Sequence, residues 1–137
     1  MKLLMIYCNH FAYSPSVRTL DVSDENAGPA KFDNIQAAFI QVEEQDQEKE
    51  VEVARKLIKN LKWICGKNES GKKIILHSFA HLSESKAPPE FTQEFLNQID
   101  ERLTNSGFEV QQTPFGYFLD LLIDAPGFSL ARVFKSL

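Results

Sequence analysis

The stretch Lys72-Lys73-Ile74-Ile75-Leu76-His77-Ser78-Phe79-Ala80-His81-Leu82-Ser83 decides how the chain folds. Its first half is an apolar run of strand length. Gly66 and Asn68-Glu69-Ser70-Gly71 just before it are turn formers that end the preceding element. That element is helical: Val51, Ala54, Leu57, Ile58, Leu61, Ile64 and Cys65 recur in steps of three and four, with lysines and an arginine between them. The second half leaves the strand through a histidine and hydroxyls, and strand ends in layered α/β folds are where sites gather.

Working outward from this helix-strand unit, Lys2 to Cys8 is a nearly continuous apolar run, the pattern of a central strand covered on both faces. Asn9 to Asp33 carries Ser14-Pro15-Ser16 and Asn26-Ala27-Gly28-Pro29 and reads as a loop, with a short strand as the alternative. Asn34 to Val42 reads as a strand, and the wholly polar Glu43 to Glu48 as an exposed turn. Downstream, Pro88-Pro89-Glu90 opens a second helix with the stripe Phe91, Phe95, Leu96, Ile99 and Leu103, closed by Asn105-Ser106-Gly107. Phe108 to Gln112 and Tyr117 to Ile123 read as strands around a corner at Pro114-Phe115-Gly116. A terminal helix from Ser129 is expected to bury Leu130, Val133, Phe134 and Leu137. The order β-β-α-β-α-β-β-α, apolar on one face of every element, predicts a single α/β domain over residues 1–137 with a mixed sheet covered by helices.

Composition bounds the function. A chain of 137 residues, 43% hydrophobic and 25% charged, has room for one ordinary core. Its net charge of −4 excludes a surface that is cationic all round, so any RNA contact must be local, such as a pocket for one or two terminal nucleotides. Cys8 and Cys65 read as reduced core residues. The opening Met1 to Tyr7 resembles a signal peptide only until Cys8-Asn9-His10 breaks it, and no stretch nears the ~20 apolar residues of a membrane span. A soluble, cytoplasmic protein is expected.

Several chemistries are weak on this sequence. His77 and His81 have zinc-helix spacing, but on an extended chain they stand about 13 Å apart, so no metal site is expected. Asp21, Asp24, Glu25 and the acids from Glu43 to Glu52 read as solvated. A Cys8, His10, His81 grouping stays open, without a nucleophile elbow or a phosphate-binding glycine loop to support a known pattern. Two segments stand out. His81 is either a site residue or a strand cap bonded to a carbonyl. Pro114-Phe115-Gly116-Tyr117 is either a close backbone approach to a ligand with stacking aromatics or a packed hairpin corner.

Taken together, Phe79-Ala80-His81-Leu82-Ser83 after a strand and Pro114-Phe115-Gly116-Tyr117 about 30 residues later resemble the N-terminal editing domain of archaeal-type threonyl-tRNA synthetases. The likeness extends to Met1–Tyr13 and to Ala38-Phe39-Ile40-Gln41-Val42-Glu43. The resemblance implies a D-aminoacyl-tRNA deacylase-like fold, usually as a homodimer, and hydrolysis of serine wrongly attached to threonine tRNA, with no cofactor. The implied partners are the 3′ end of aminoacyl-tRNA and a threonyl-tRNA synthetase in cis or in trans. Carried across, Val42, Ala80, His81, Phe115 and Gly116 are pocket positions. His81 would bond substrate or water, N–H groups around Ala80 and Phe115 would hold the carbonyl, and Tyr117 would help bind adenosine. The tRNA 2′-hydroxyl would assist the attacking water.

The chain departs from the family where a lysine is replaced by Leu119 and where a terminal-helix glutamate falls at Arg132. Tyr7-Cys8-Asn9-His10 also differs from the family's usual opening. A leucine can neither donate a hydrogen bond nor stabilise an anion, so Arg132 or Lys135 are the candidates for a replacement charge. Two rival expectations follow: an aminoacyl-adenosine-binding module with impaired catalysis, or a trans-acting deacylase for another amino acid.

Overall fold

The computed structural model describes residues 1–137. Strand β1 (Lys2–Arg18) and strand β2 (Ala30–Gln41) lead through a 3₁₀ turn (Glu44–Lys49) into helix α1 (Glu50–Lys67). Strand β3 (Lys73–Ser78), helix α2 (Pro89–Asn105), strand β4 (Glu109–Gln112) and strand β5 (Tyr117–Asp124) follow, and a short 3₁₀ turn (Ser129–Ala131) enters strand β6 (Arg132–Ser136). The six strands form one mixed sheet in the order β4-β3-β2-β1-β5, with β6 also paired to β1. β2, β3 and β4 run parallel; β1 runs antiparallel to β2, β5 and β6.

Period-two alternation divides the sheet into two faces. Leu3 and Met5, Ala38 and Ile40, and Ile74 and Leu76 face both helices and form the main core with Leu57, Leu61, Ile64, Phe95 and Ile99. The alternate residues Cys8, Ala37, Phe39 and Ile75 join Phe11 and Ile35 in a second cluster. The predicted helical stripes are buried with two exceptions: in α1 Val51 is 83% exposed and Val53 takes its place, and in α2 Phe91 is only half-buried, packed against the core.

Three expectations are corrected. The loop read from Asn9 to Asp33 shrinks to the segment between Arg18 and Ala30, because β1 continues to Arg18 and pairs with β5 along that extension. Pro15 is accommodated where the register shifts between Pro15 and Arg18, an irregularity of the kind that tolerates proline in a strand. The terminal helix is instead β6, claimed by the edge of β1 that β5 leaves open, from Lys2 opposite Ser136 to Ile6 opposite Arg132. Leu130, Val133 and Leu137 still pack on the core, while Phe134 is exposed. The polar Glu43–Glu48 segment is not an exposed turn throughout. Glu43 and Asp46 are buried around the Met1 ammonium, at 2.7 and 3.0 Å.

Candidate functional site

The chain leaves β3 at Ser78 and turns, and a buried glutamine from the neighbouring strand fixes that turn. Phe79 N–H donates to Ile40 O at 2.9 Å. Gln41 Oε1 accepts from Leu82 N–H (2.6 Å) and Ser83 N–H (2.7 Å), while its Nε2 donates to Ser83 O and Ser85 O. Ser83 Oγ donates to Glu43 Oε2 at 2.7 Å. Between these pinned residues, the N–H groups of Ala80 and His81 donate to no acceptor within the chain.

This turn is the shared wall of two adjoining cavities of about 220 and 310 Å³, together of the size that takes a small ligand. Ala80, His81 and Phe115 line both; Val42 lines the second; Gly116, Tyr117 and Leu119 line the first. The structure therefore brings together every expected pocket residue except Arg132. Arg132 starts β6 opposite Ile6 and lies on neither cavity wall, and Lys135 reaches instead over the Trp63 ring at 5.6 Å. Neither Arg132 nor Lys135 brings a charge to the cavities, because pairing with β1 turns the expected terminal helix into a strand; the one lysine on their walls is Lys86, on the second. Leu119, paired with Pro15, leaves its part of the wall apolar.

The far wall is a corner held from a distance. Gly116 has φ +84, and a Cβ there would stand 2.6 Å from both Val22 O and Ser23 Cβ. Its freedom thus serves a close approach to the chain's own backbone rather than to a ligand. Gly116 O accepts from Thr19 N–H (2.8 Å), and Phe115 N–H donates to Asp24 Oδ2 (3.0 Å) while Phe115 O accepts from Asp24 N–H. The expectation that Phe115 N–H would hold a substrate carbonyl is corrected here, since Asp24 already occupies it. Tyr117 Oη donates to Asp24 O at 3.3 Å.

His77 sits beneath the exposed His81, buried with Nδ1 2.8 Å from Thr113 Oγ1 and its ring edge-on to Phe39. Burial, helped by the nearby His81, pushes its pKa down to about 4. The Cys8, His10, His81 grouping is not assembled. Burial, with Asp124 adding to it, pushes the Cys8 thiol up to about 12. His10 is exposed and bonded to Asp33 at 2.6 Å. Sequence reasoning missed Thr19 and Leu20 on the wall, the Gln41 clamp and the role of Asp24. Only Gln41 carried a local signal, as a polar residue at the end of an apolar run.

The whole of this frame, residues 1–137, matches the model of the archaea-specific editing domain of threonyl-tRNA synthetase. The chain belongs to that family. It is 30% identical over 141 residues to a threonine–tRNA ligase of Thermococcus kodakarensis and 28% identical over 137 residues to one of Methanococcus vannielii. In both cases the alignment takes in 100% of this chain and 22% of the relative, so the chain spans about a fifth of their length. Among solved structures it is similar to the c-Myc DNA unwinding element binding protein, with a TM-score of 0.73, 12% identity, and 100% and 99% of the two chains covered. That likeness shows the fold alone, an α/β domain with a mixed sheet. As an editing domain the chain is placed with the aminoacyl-tRNA deacylases of translational proofreading. None of its helices is long and apolar enough to cross a membrane.

Proposed function

We propose that the domain hydrolyses the ester of seryl-tRNA(Thr), using a positioned water and the terminal 2′-hydroxyl of the tRNA. The observation that carries this reading is the pair of unengaged N–H groups at Ala80 and His81, held in a clamped turn on the wall of both cavities. Water attacks the ester carbonyl carbon, and the carbonyl oxygen takes the negative charge, which those N–H donors stabilise. The carbon–oxygen bond to the ribose then breaks, the ribose oxygen takes up the proton released by the water, and serine leaves. His81 holds the substrate or the water at the rim, Tyr117 flanks the adenosine, and Val42 bounds the second cavity. A synthetic site made for threonine cannot fully exclude the smaller serine, which is the need such a pocket answers.

The test is deacylation of seryl- and threonyl-tRNA(Thr) by the folded protein. Hydrolysis of the serine ester only is expected, and hydrolysis of neither would overturn the reading. Leu119 on the cavity wall favours a second reading, an aminoacyl-adenosine-binding module with little turnover. Binding of a non-hydrolysable seryl-adenosine analogue without hydrolysis would select it, and cleavage of a different aminoacyl-tRNA would indicate a trans-acting deacylase of other specificity.

The partners in this reading are the 3′ end of aminoacyl-tRNA, in the cytoplasm, and a threonyl-tRNA synthetase in cis or in trans. A second copy of the chain is the further partner. β5 is an edge strand, and it exposes Phe118 and Leu122, each at 58%, with Leu121 and Ile123. A light-scattering mass of one protomer would remove the homodimer from this proposal.

A further inference from the structure

Helix α1 carries a charge distribution that the pocket does not use. Between Val53 and Asn68 there is no acidic residue, yet Arg55, Lys56, Lys59, Lys62 and Lys67 all fall there, in a chain whose net charge is −4. Helical spacing sets Arg55, Lys59 and Lys62 in one column, i, i+4 and i+7, with ~5–6 Å between neighbours. All three are exposed. Lys56 has a carboxylate partner, Glu52 at 2.7 Å; no carboxylate lies within salt-bridge distance of the column. Like charges at this spacing weaken a helix, so the column costs stability unless an anion covers it.

A second observation gives that anion a chemical class. Trp63, beside the column, is 39% exposed, although an indole gains by burial. Lys135 from β6 reaches over its ring at 5.6 Å and extends the cationic surface onto the sheet. Cations flanking an exposed flat aromatic are the elements of single-strand nucleic-acid binding, in which phosphates are neutralised and bases stack without sequence preference.

The topology connects this face to the site. From Val42 on the second cavity the chain passes through Glu43 and one 3₁₀ turn directly into α1. Because β2 and β3 are parallel, α1 must cross from the cavity end of the sheet to the opposite end. The column therefore runs away from the pocket mouth. α2, which covers the same face of the sheet, offers no competing track: its Glu90, Glu94, Asp100 and Glu101 outnumber Arg102.

We propose that the face of α1 formed by Arg55, Lys59, Lys62 and Trp63 is a docking surface for the RNA backbone adjoining the 3′ end held in the pocket. The inference rests on the reading that the pocket takes a tRNA terminus, and its test is independent of turnover.

The probe is an unacylated acceptor-stem minihelix ending in CCA, titrated into the protein. Trp63 is the chain's single tryptophan, so its emission reports on this surface alone. Binding is expected to quench it. The variant Arg55→Gln/Lys59→Gln/Lys62→Gln should bind the minihelix at least tenfold more weakly. The slope of log affinity against log salt should become shallower by about 2 to 3, as for the loss of three phosphate contacts. A seryl-adenosine analogue, which has no backbone to place on α1, should bind variant and wild type alike, with circular dichroism verifying the fold. Wild-type affinity and salt slope in the triple variant, or saturation of the minihelix without quenching, would overturn the proposal. So would an effect on polyglutamate binding but not on RNA, which would mark the face as one for acidic protein. Loss of deacylase activity with these results intact would overturn only the catalytic reading.

Discussion

Replacing Glu43 with glutamine tests whether a buried charge cluster holds the pocket turn in place. In the native protein Glu43 Oε1 lies 2.7 Å from the Met1 ammonium, and Glu43 Oε2 accepts from Ser83 Oγ at 2.7 Å. Asp46 Oδ1 lies 3.0 Å from the same ammonium, and Asp46 Oδ2 accepts from Glu43 N–H at 2.7 Å. Met1 and Asp46 are wholly buried and Glu43 nearly so. A glutamine matches the shape but has only one acceptor oxygen. Turned toward Met1, it must present its amide to Ser83, which reverses the sense of that hydrogen bond. The ammonium keeps Asp46, so the loss is that of a hydrogen bond between charged groups rather than of a stranded charge, about 2 kcal/mol.

For a chain of this size that corresponds to a fall of about 8 °C in Tm. Urea unfolding followed by Trp63 emission measures it. The pH dependence supplies the sharper check. Burial alone would raise the Glu43 pKa, but hydrogen bonds from the terminal ammonium and from Ser83 outweigh it and hold it below the ordinary 4.5. A carboxyl whose folded pKa is depressed adds stability above its unfolded value and loses it as pH falls through the folded one. The wild type should therefore exceed Glu43→Gln by its full margin at pH 7, and the margin should close below pH 4.5. A margin unchanged from pH 7 to pH 3 would refute the role given to the ionised carboxylate.

Other outcomes follow from the same geometry. Gly116→Ala meets both a positive φ and a Cβ contact of 2.6 Å with Val22 O, so a loss of at least ~2 kcal/mol is expected in the same unfolding assay, with deacylation lost as the corner shifts. Leu119→Lys places a cation on the cavity wall and should raise kcat/KM for seryl-tRNA by about tenfold or more; an unchanged rate would show that this part of the wall does not face the reacting ester. His77, with its pKa pushed down to about 4, should show no ring titration by NMR between pH 8 and pH 5. Because the unfolded chain binds that proton first, His77 removes stability as pH falls from 6.5 toward 4, equally in wild type and in Glu43→Gln.

The elements legible in the sequence are those whose own periodicity is long enough to be unambiguous. α1 and α2 each repeat their apolar step over several turns, and the apolar runs of β2 and β3 lie between clear turn residues. The stretch Leu130, Val133, Phe134 and Leu137 has helical spacing, but over too few residues to outweigh the open edge of β1, which draws Arg132–Ser136 into the sheet. The second half of β1 is a strand because β2 and β5 lie beside it, and no pattern within Asn9–Arg18 carries that information. The buried Asp46 owes its place to an ammonium 45 residues away. At the candidate site, both motifs line the two adjoining cavities. The acceptor already occupying Phe115 N–H comes from a loop 91 residues distant, which no local reading of the corner supplies.

The first strand made is the last to be enclosed. β1 acquires β2 on one side as soon as Gln41 has been synthesised, but its other side is filled by Tyr117–Asp124 and Arg132–Ser136, with Lys2 facing Ser136. During translation its free side must stay unpaired while nearly the whole domain is produced. Such an edge invites pairing with neighbouring nascent chains, and the distant contacts that close it form slowly. For a domain laid down this way, output of native protein should depend on how synthesis is paced through the final two strands and on holdase chaperones that occupy the open side of β1 until those strands arrive.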